Sequence, residues 1–228
     1  MKAVVLLSGG LDSTTALYVA RRDGRETICL SFGYGQRHER ELGSAKKIAS
    51  HLKLEHWIVP VSLPWGASAI TDSNLPLPKG RSEQEIKKEI PATYVPARNS
   101  IFLSLAASLA EAKGTGEIYF GANALDYSGY PDCRPEFIEA FQEMIERGTK
   151  AGTEGKKIRV VAPLLKLSKA EIIRLGRGLN VPFEWTWSCY EGKEFPCGEC
   201  DSCILRAKGF REAGIEDPLG SSLRTSLQ

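Results

Sequence analysis

The first eighteen residues constrain this chain more than any other stretch. A short apolar run, Lys2-Ala3-Val4-Val5-Leu6-Leu7, is followed at once by Ser8-Gly9-Gly10-Leu11-Asp12-Ser13, and a helical pattern begins at Thr14. A strand that turns through glycines into a helix exposes unpaired backbone N–H groups and the positive end of the helix dipole. Phosphate suits such a site, so the stretch predicts phosphate binding at the end of a strand.

The side chains of this turn indicate which class of phosphate ligand it binds. Ser8, Ser13 and Thr14 offer hydroxyl donors, whereas the Asp12 carboxylate would repel phosphates without a cation, which indicates a magnesium-bound nucleotide. The turn lacks both the G-x-x-x-x-G-K-[ST] and the G-x-G-x-x-G patterns. SGGLDS instead resembles the pyrophosphate loop of the N-type ATP pyrophosphatases. That resemblance implies cleavage of ATP between its α and β phosphates and transfer of AMP to a carboxylate or carbonyl oxygen.

Composition bounds the class of protein. The chain has 228 residues and a formal net charge of +2, which suits one α/β domain with a small appendage and does not indicate a nucleic-acid partner. No apolar run has the length of a membrane span, and the apolar run at the N-terminus is too short for a secretory signal. We therefore expect a cytoplasmic protein with neither a membrane nor a nucleic-acid partner.

Strand and helix patterns alternate along most of the chain. This alternation predicts an α/β fold with a doubly wound parallel sheet, Rossmann-like and of PP-loop type. The predicted strands after the first are Thr27–Phe32, Glu55–Val61, Glu117–Phe120 and Ile158–Ala162. The predicted helices are Thr14–Arg22, Arg40–His51, one over Ile101–Ala110, one opening at Pro135, one from the Ser168–Glu171 capping box to Gly178, and one continuing from Ile204.

A long segment, Ser62 to Pro91, breaks the alternation. It carries four prolines and contains a charged helical piece at Ser82 to Glu89. A loop of this length in a compact domain is typically a lid, a binding loop or disordered, and the sequence leaves these alternatives open.

Polar residues follow the strand ends, where parallel α/β sheets bind ligands. Tyr34 is a candidate to lie over a base, and Arg37 and His38 to face phosphate or substrate, although a surface position suits His38 equally. Arg98 and Asn99, at the start of the long helix, are better placed for a ligand than its apolar face. The loop after the fourth strand adds a dense polar set: Asp126, Tyr127, Tyr130, Asp132, Cys133 and Arg134.

Four cysteines near the C-terminus indicate a metal site. Cys189, Cys197, Cys200 and Cys203 are spaced C-x7-C-x2-C-x2-C. Tetrahedral zinc takes four such thiolates, and the ligand type and spacing favour one Zn²⁺ over an iron–sulfur cluster or free thiols. Four protein ligands close the site, which favours a structural role over a catalytic one. Cys133 lies apart and is either a nucleophile or a small wall residue. The pattern divides the chain into residues 1–183, a nucleotide and substrate domain, 184–216, a zinc-binding segment, and 217–228, a flexible tail.

Several blocks taken together resemble the 7-cyano-7-deazaguanine synthases. They are SGGLDS, SFGYGQRH, YVPARNSIFLS, GANALDYSGYPDCRPEFI and the four-cysteine segment, in this order from Val4 to about Phe210. The resemblance implies an ATP-dependent carbon–nitrogen ligase of queuosine biosynthesis, which converts 7-carboxy-7-deazaguanine and ammonia to 7-cyano-7-deazaguanine. It also implies a structural zinc and a homodimer. No glutaminase segment is visible, so free ammonia is the expected donor.

The resemblance also assigns residues. The ATP segment with Mg²⁺ is expected over Ser8, Gly9, Gly10, Leu11, Asp12, Ser13, Thr14, Thr15, Ala16, Leu17 and Tyr18, with Asp12 and Ser13 as catalytic residues. From the chemistry of the side chains near the strand ends, we expect substrate contacts from Arg98, Asn99, Asp126, Tyr127, Tyr130, Asp132, Cys133 and Arg134. Two other classes remain as alternatives, a tRNA thiolation enzyme and a zinc-ribbon module that binds RNA or protein without chemistry.

Overall fold

The computed structural model describes residues 1–124 and 130–220, apart from the side chains of residues 87 and 88. Its strands β1 to β5 are Lys2–Leu6, Glu26–Gly33, Glu55–Pro60, Glu117–Tyr119 and Arg159–Val161. They pair in parallel in the order β3-β2-β1-β4-β5. The chain moves outward from β1 to one edge and then continues on the other side of β1, so the predicted doubly wound α/β sheet is confirmed.

The helices follow the predicted order. In the described residues, α1 to α8 are Leu11–Arg22, Arg40–His51, Glu83–Lys88, Arg98–Lys113, Pro135–Gly148, Lys150–Thr153, Lys169–Gly178 and Asp201–Ala213. The bounds of α2 are those that the sequence predicts. Helix α1 begins three residues before the predicted Thr14, because Gly10 takes the extended N-cap conformation and leaves Leu11 free to enter the helix.

Side chains of alternating β1 residues pack on opposite faces of the sheet. Ala3, Val5 and Leu7 pack with α1 and α2, whereas Val4 and Leu6 pack with α4 and α5. A further cluster joins α7 and α8 to the outer side of α1. Both sheet faces are thus covered, which explains why the strands read as continuous apolar runs. The open carboxyl edge of the sheet is left for the site.

The segment between β3 and α4 is ordered against the cysteine segment. Ser82 and Glu85 form a capping box at α3, which confirms the helical piece. Arg81 forms an ion pair with the buried Asp201, and the Gly80 N–H donates to the Glu199 carbonyl at 2.9 Å. The disordered alternative is therefore wrong for this backbone, which instead has tertiary hydrogen bonds.

Among the residues that the structure describes, no helix is long and apolar enough to cross a membrane.

Candidate functional site

The turn between β1 and α1 is closed by its own hydroxyl groups. The Ser13 Oγ donates to the Gly10 carbonyl at 3.1 Å and lies 2.9 Å from the Ser8 Oγ. The Ser8 Oγ accepts from the Gly10 N–H at 3.2 Å, and the Ser8 N–H donates to the Ser13 Oγ at 3.2 Å. These bonds fix the loop so that the start of α1 opens into a cavity, as the anion-site prediction requires.

Two glycines allow the close contacts around this loop. Gly9 has a φ of +91°, and a Cβ there would lie 2.0 Å from the Glu41 carbonyl oxygen. At Gly121, which follows β4, a Cβ would lie 2.9 Å from the Ser13 Cα. This loop, residues 8–13, is called the phosphate loop below. It is packed between the start of α2 and the end of β4 with no space for a side chain at either glycine.

Lys169 is a loop partner that sequence reasoning missed. This buried lysine, at the first position of α7, donates from Nζ to both carboxylate oxygens of Asp12, at 2.8 and 2.6 Å. The available signal was its place directly after the Ser168 N-cap, because a lysine in the first turn of a helix opposes the helix dipole. The pair places a cationic side chain beside the loop, whose residues 8–13 contain none.

A cavity of about 260 Å³ joins the loop to the other strand ends. Ser8, Gly10, Leu11, Asp12 and Ser13 form one wall of it, and Gly9 lies behind them. Thr14 to Tyr18 run away from the cavity as part of α1, and Ala16 and Leu17 are buried in the cores beside the sheet. Other polar or charged lining residues are Ser31, Gln36, Glu41, Arg98, Asn99, Asn123, Tyr130, Lys169, Ser188, Tyr190, Ser202 and Arg206.

The predicted substrate residues divide between the cavity wall and its support. Arg98, Asn99, Tyr130 and Cys133 line the cavity. Asp132 is buried behind them and accepts from the Asn99 N–H at 3.1 Å, while Arg134 is exposed at the start of α5. Asp126 and Tyr127 lie outside the described residues.

Arg98 is oriented towards the cavity by Tyr34. The Arg98 Nη1 donates to the Tyr34 hydroxyl at 3.2 Å, and in the described part of the chain its guanidinium makes no ion pair. Tyr34 itself is buried and meets Phe102 edge-on, so the expectation that it lies over a base is wrong. Arg98 thus brings to the cavity a positive charge without a direct ion pair to a described carboxylate.

Cys133 lies in the wall as a protonated thiol. Burial, together with the Asp132 carboxylate, raises the pKa of this thiol to about 12. The Asn99 amide nitrogen lies 3.3 Å from its Sγ. Because the thiolate is the nucleophilic form, this environment favours the wall role over the nucleophile.

Glu41 is a second residue that the sequence did not single out. It belongs to the first turn of α2, and its Oε1 lies 3.5 Å from the position that a Cβ on Gly10 would take. Burial raises the pKa of its carboxyl to about 7, although the Arg98 guanidinium acts in the opposite direction. A carboxyl group that titrates near neutrality therefore lies beside the phosphate loop.

The residues Arg37 and His38 serve other contacts. Arg37 donates from Nη2 to the Asp72 carbonyl at 2.8 Å and so holds the segment between β3 and α4. The His38 ring packs on Gly192, and a Cβ added to Gly192 would lie 2.1 Å from the His38 Cγ. Neither residue lines the cavity, so the expectation that they face phosphate or substrate is wrong.

The four cysteines converge as their spacing predicts. One Sγ from each of Cys189, Cys197, Cys200 and Cys203 lies within 4.8 Å of all the others. Zinc–sulfur bonds of about 2.3 Å would place the four sulfurs about 3.8 Å apart in a tetrahedron. The Cys197 and Cys200 N–H groups donate to the Sγ atoms of Cys189 and Cys197, each at 3.3 Å. Thiolates attract such donors, so the set fits one tetrahedral ion.

The cysteine segment also builds part of the cavity. The Trp187 N–H donates to the Gly9 carbonyl at 3.0 Å, and the Trp187 Nε1 donates to the Cys189 carbonyl at 2.9 Å. Ser188 and Tyr190, on either side of the first cysteine, line the cavity. Through one backbone and one side-chain hydrogen bond, Trp187 thus connects the candidate metal centre to the phosphate loop.

A doubly wound parallel sheet whose first strand ends in this loop defines the PP-loop fold class of ATP pyrophosphatases. A solved 4-thiouridine synthetase–RNA complex with bound ATP shares the fold, with a TM-score of 0.52 and 21% identity. The match covers 93% of this chain and 50% of that one.

Residues 2–214 match the family described as queuosine biosynthesis protein QueC. The 7-cyano-7-deazaguanine synthase of Trichodesmium erythraeum is 58% identical over 221 residues, which are 96% of this chain and 100% of that one. The synthase of the same name from Anaeromyxobacter sp. is 55% identical over 220 residues, 95% of this chain and 94% of its own. The chain belongs to the QueC family and is thus an enzyme of queuosine biosynthesis.

Proposed function

We propose that this chain uses ATP to convert 7-carboxy-7-deazaguanine and ammonia to 7-cyano-7-deazaguanine. The observation that carries the proposal is the single cavity in which the phosphate loop and Arg98 face the same space. A carboxylate that is activated by ATP has to lie next to the phosphates, and it also needs a cationic group that binds its negative charge. The phosphate loop and Arg98 meet these two needs in one cavity. The relatives' name, 7-cyano-7-deazaguanine synthase, gives the product of this reaction.

The phosphate loop is proposed to bind ATP and to stabilise the charge of the departing pyrophosphate. The N–H groups at the start of α1, the Ser13 hydroxyl and Lys169 are the donors for the phosphate oxygens, which is electrostatic catalysis. The ATP segment is proposed as Ser8 to Tyr18, with Asp12 and Ser13 as its catalytic residues. Asp12 lines the cavity with its side chain about 24% exposed, so its oxygens fit a magnesium ion that would neutralise the phosphates.

The other end of the cavity is proposed to hold the deazaguanine. Arg98 suits the substrate carboxylate, since a guanidinium pairs with it in a bidentate geometry. Tyr130 lines the wall as a ring surface, with its hydroxyl 2.8 Å from the Thr93 Oγ1. Asn99, Asp132, Cys133 and Arg134 complete the proposed set, together with Asp126 and Tyr127.

The proposed reaction is that of a carbon–nitrogen ligase that activates oxygen twice. A carboxylate resists ammonia because oxide is a poor leaving group, whereas transfer of AMP to its oxygen makes AMP the leaving group. Ammonia then gives the amide. Activation and loss of the amide oxygen give the nitrile. The chain's role is to orient the two substrates and exclude water from the activated carbon.

One structural zinc is proposed at the four cysteines, with residues 184–216 as the zinc-binding segment beside the domain of residues 1–183. Four protein ligands close the site, so its role is to hold this segment in place. Cysteines that bind a metal and form no disulfides are typical of reducing compartments, which supports the cytoplasm as the proposed location. The proposed tail, 217–228, begins at Asp217, which accepts from the Arg206 Nε at 2.8 Å.

A homodimer without a nucleic-acid partner is proposed for the assembly. Edge strand β3 exposes Trp57 and Ile58, which is compatible with such a contact. Sedimentation velocity tests it: a monomer at micromolar concentration contradicts this part of the proposal.

The function is tested by incubating the pure protein with Mg-ATP, ammonium and 7-carboxy-7-deazaguanine and following the base by mass spectrometry. We expect the nitrile to form with wild type and not with Asp12→Ala. ATP consumption that leaves the base unchanged would contradict the proposal and favour a tRNA thiolation enzyme.

A further inference from the structure

Within the described residues, the Glu41 carboxylate has no hydrogen-bond partner although it faces the cavity. Across residues 1–124 and 130–220 it makes no hydrogen bond and no ion pair, yet its backbone is fixed, since its carbonyl packs directly against Gly9. Its Oε1 lies beside Gly10, on the side of the cavity where the phosphates are expected. A partly buried acid in this position calls for a cationic or proton-bearing ligand.

The position suits the nitrogen nucleophile. The reacting carbon has to lie between the phosphate loop, which takes the leaving group, and Arg98, which holds the carboxylate. Glu41 lies beside the phosphate loop, and its carboxyl interacts electrostatically with the Arg98 guanidinium. We propose that Glu41 binds ammonium next to the phosphate loop and accepts its proton, so that ammonia is released against the activated carbon. This inference rests on the proposed function.

The proton and electron balance of the step is complete. Ammonium gives one proton to the Glu41 carboxylate, and the freed lone pair forms the C–N bond while the bond from carbon to the AMP oxygen breaks. AMP leaves with the bonding pair, and its phosphate takes the second nitrogen proton. Neutral amide, AMP and protonated Glu41 result, and Glu41 returns its proton to water before the next turnover.

Other titratable groups around the cavity are less suited to this proton transfer. Asp12 is held by Lys169, and Asp132 is hydrogen-bonded to the Asn99 N–H behind the wall. Burial raises the pKa values of the Cys133 thiol and the Tyr34 and Tyr130 hydroxyls, so these groups stay protonated.

The electrostatic surroundings of Glu41 support the assignment. Arg98 from α4 and the Tyr34 hydroxyl after β2 are the groups that interact with it, and the Asp12–Lys169 pair lines the same cavity. A pKa near neutrality allows one carboxyl to accept a proton and release it at the working pH.

The test compares two nucleophiles in Glu41→Gln and in Glu39→Gln, which removes an exposed carboxylate at the N-cap of α2. Hydroxylamine is largely unprotonated at neutral pH, so it needs no base, whereas ammonium does. For Glu41→Gln we expect kcat/KM for ammonium to fall about 100-fold or more at neutral pH. Hydroxamate formation and ammonia-independent pyrophosphate release should stay within about threefold of wild type, as should all activities of Glu39→Gln.

The pH profile is a second readout. In Glu41→Gln, the rate with ammonium should climb with pH as free ammonia accumulates, and should approach that of wild type at alkaline pH. An equal loss with both nucleophiles would overturn the proposal, as would a profile parallel to that of wild type. Loss of pyrophosphate release without ammonium would instead assign Glu41 to the nucleotide. If wild type releases no pyrophosphate with the deazaguanine, the proposed function itself fails, and this inference fails with it.

Discussion

Asp12 and Lys169 show how single residues complete the phosphate loop. They are 157 positions apart, yet the lysine Nζ contacts both carboxylate oxygens. The lysine therefore neutralises the charge for which the sequence alone required a cation. Lys169 also lines the cavity, and we propose that it binds phosphate there.

Lys169→Met is expected to weaken ATP binding about 10- to 100-fold, because a hydrogen bond to a charged group is worth roughly 1.5–3 kcal/mol. Isothermal titration calorimetry measures this. Lys166→Met, an exposed lysine three residues earlier, is the control and should bind ATP as wild type does. Equal affinities for the two variants would exclude Lys169 from the site.

Gly9→Ala tests the close contact at the loop. A positive φ costs an L-residue about 1–2 kcal/mol, and a Cβ placed against the Glu41 carbonyl adds roughly 1–3 kcal/mol. We expect the free energy of unfolding in urea to fall by about 2–5 kcal/mol. Gly43→Ala in α2, where a Cβ meets nothing, should raise it by up to about 1 kcal/mol.

The raised pKa of Glu41 makes the free energy of unfolding depend on pH. Its pKa is about 7 in the folded state against an ordinary value of 4.5, so the folded state binds more protons between these values. The free energy of unfolding contributed by this group therefore decreases as pH rises through that window and stays low above it. The free energy of unfolding of Glu41→Gln should therefore rise relative to that of wild type, by on the order of 1–3 kcal/mol as pH increases from about 5 to 8. Urea unfolding at several pH values measures this difference between the two proteins. A difference that does not change with pH would contradict the raised pKa of Glu41.

At the scale of elements, helix α7 connects secondary structure to the site. Its capping box places Ser168 at the N-cap, and Lys169 follows as the first helical residue. The start of the helix thus determines where the Lys169 side chain leaves the backbone. A well-formed cap therefore matters for the loop as well as for the helix.

Ser168→Ala should lower the free energy of unfolding by about 1 kcal/mol, since the Oγ caps the Glu171 N–H. Ser82→Ala removes the same box from α3, which is only six residues long. We expect a smaller global change there, because a short surface helix can open alone. Urea unfolding of both variants measures the two losses of unfolding free energy. Equal losses would show that α3 unfolds together with the rest of the domain, as α7 does.

At the scale of the whole molecule, the cysteine segment joins parts that are distant in sequence. It contacts the phosphate loop through Trp187, and it holds the segment between β3 and α4 through the Arg81–Asp201 pair. Arg206 of α8 donates to Asp217 and to the Thr186 Oγ1, at 2.8 Å each. The segment is therefore a structural wall of the cavity.

Removal of the metal is expected to lower the melting temperature and also to weaken ATP binding, because the Trp187–Gly9 bond would lose its support. Purified protein should contain about one zinc per chain by elemental analysis. After chelation, calorimetry should show both losses, and both should be restored by adding zinc. Unchanged ATP affinity in the metal-free protein would show that the segment does not shape the loop.

The order of strands and helices, the phosphate loop and the cysteine set follow from the sequence by itself. Each depends on neighbours along the chain: apolar runs bounded by glycines, helical spacing, a capping box and closely spaced thiols. Only the tertiary structure decided that Lys169 holds Asp12, that Glu41 lies beside Gly10, that Arg37 and His38 face away, and that Ser188 and Tyr190 complete the cavity. These contacts join positions tens to more than a hundred residues apart. They are set by how helices pack on the sheet, which no local pattern encodes.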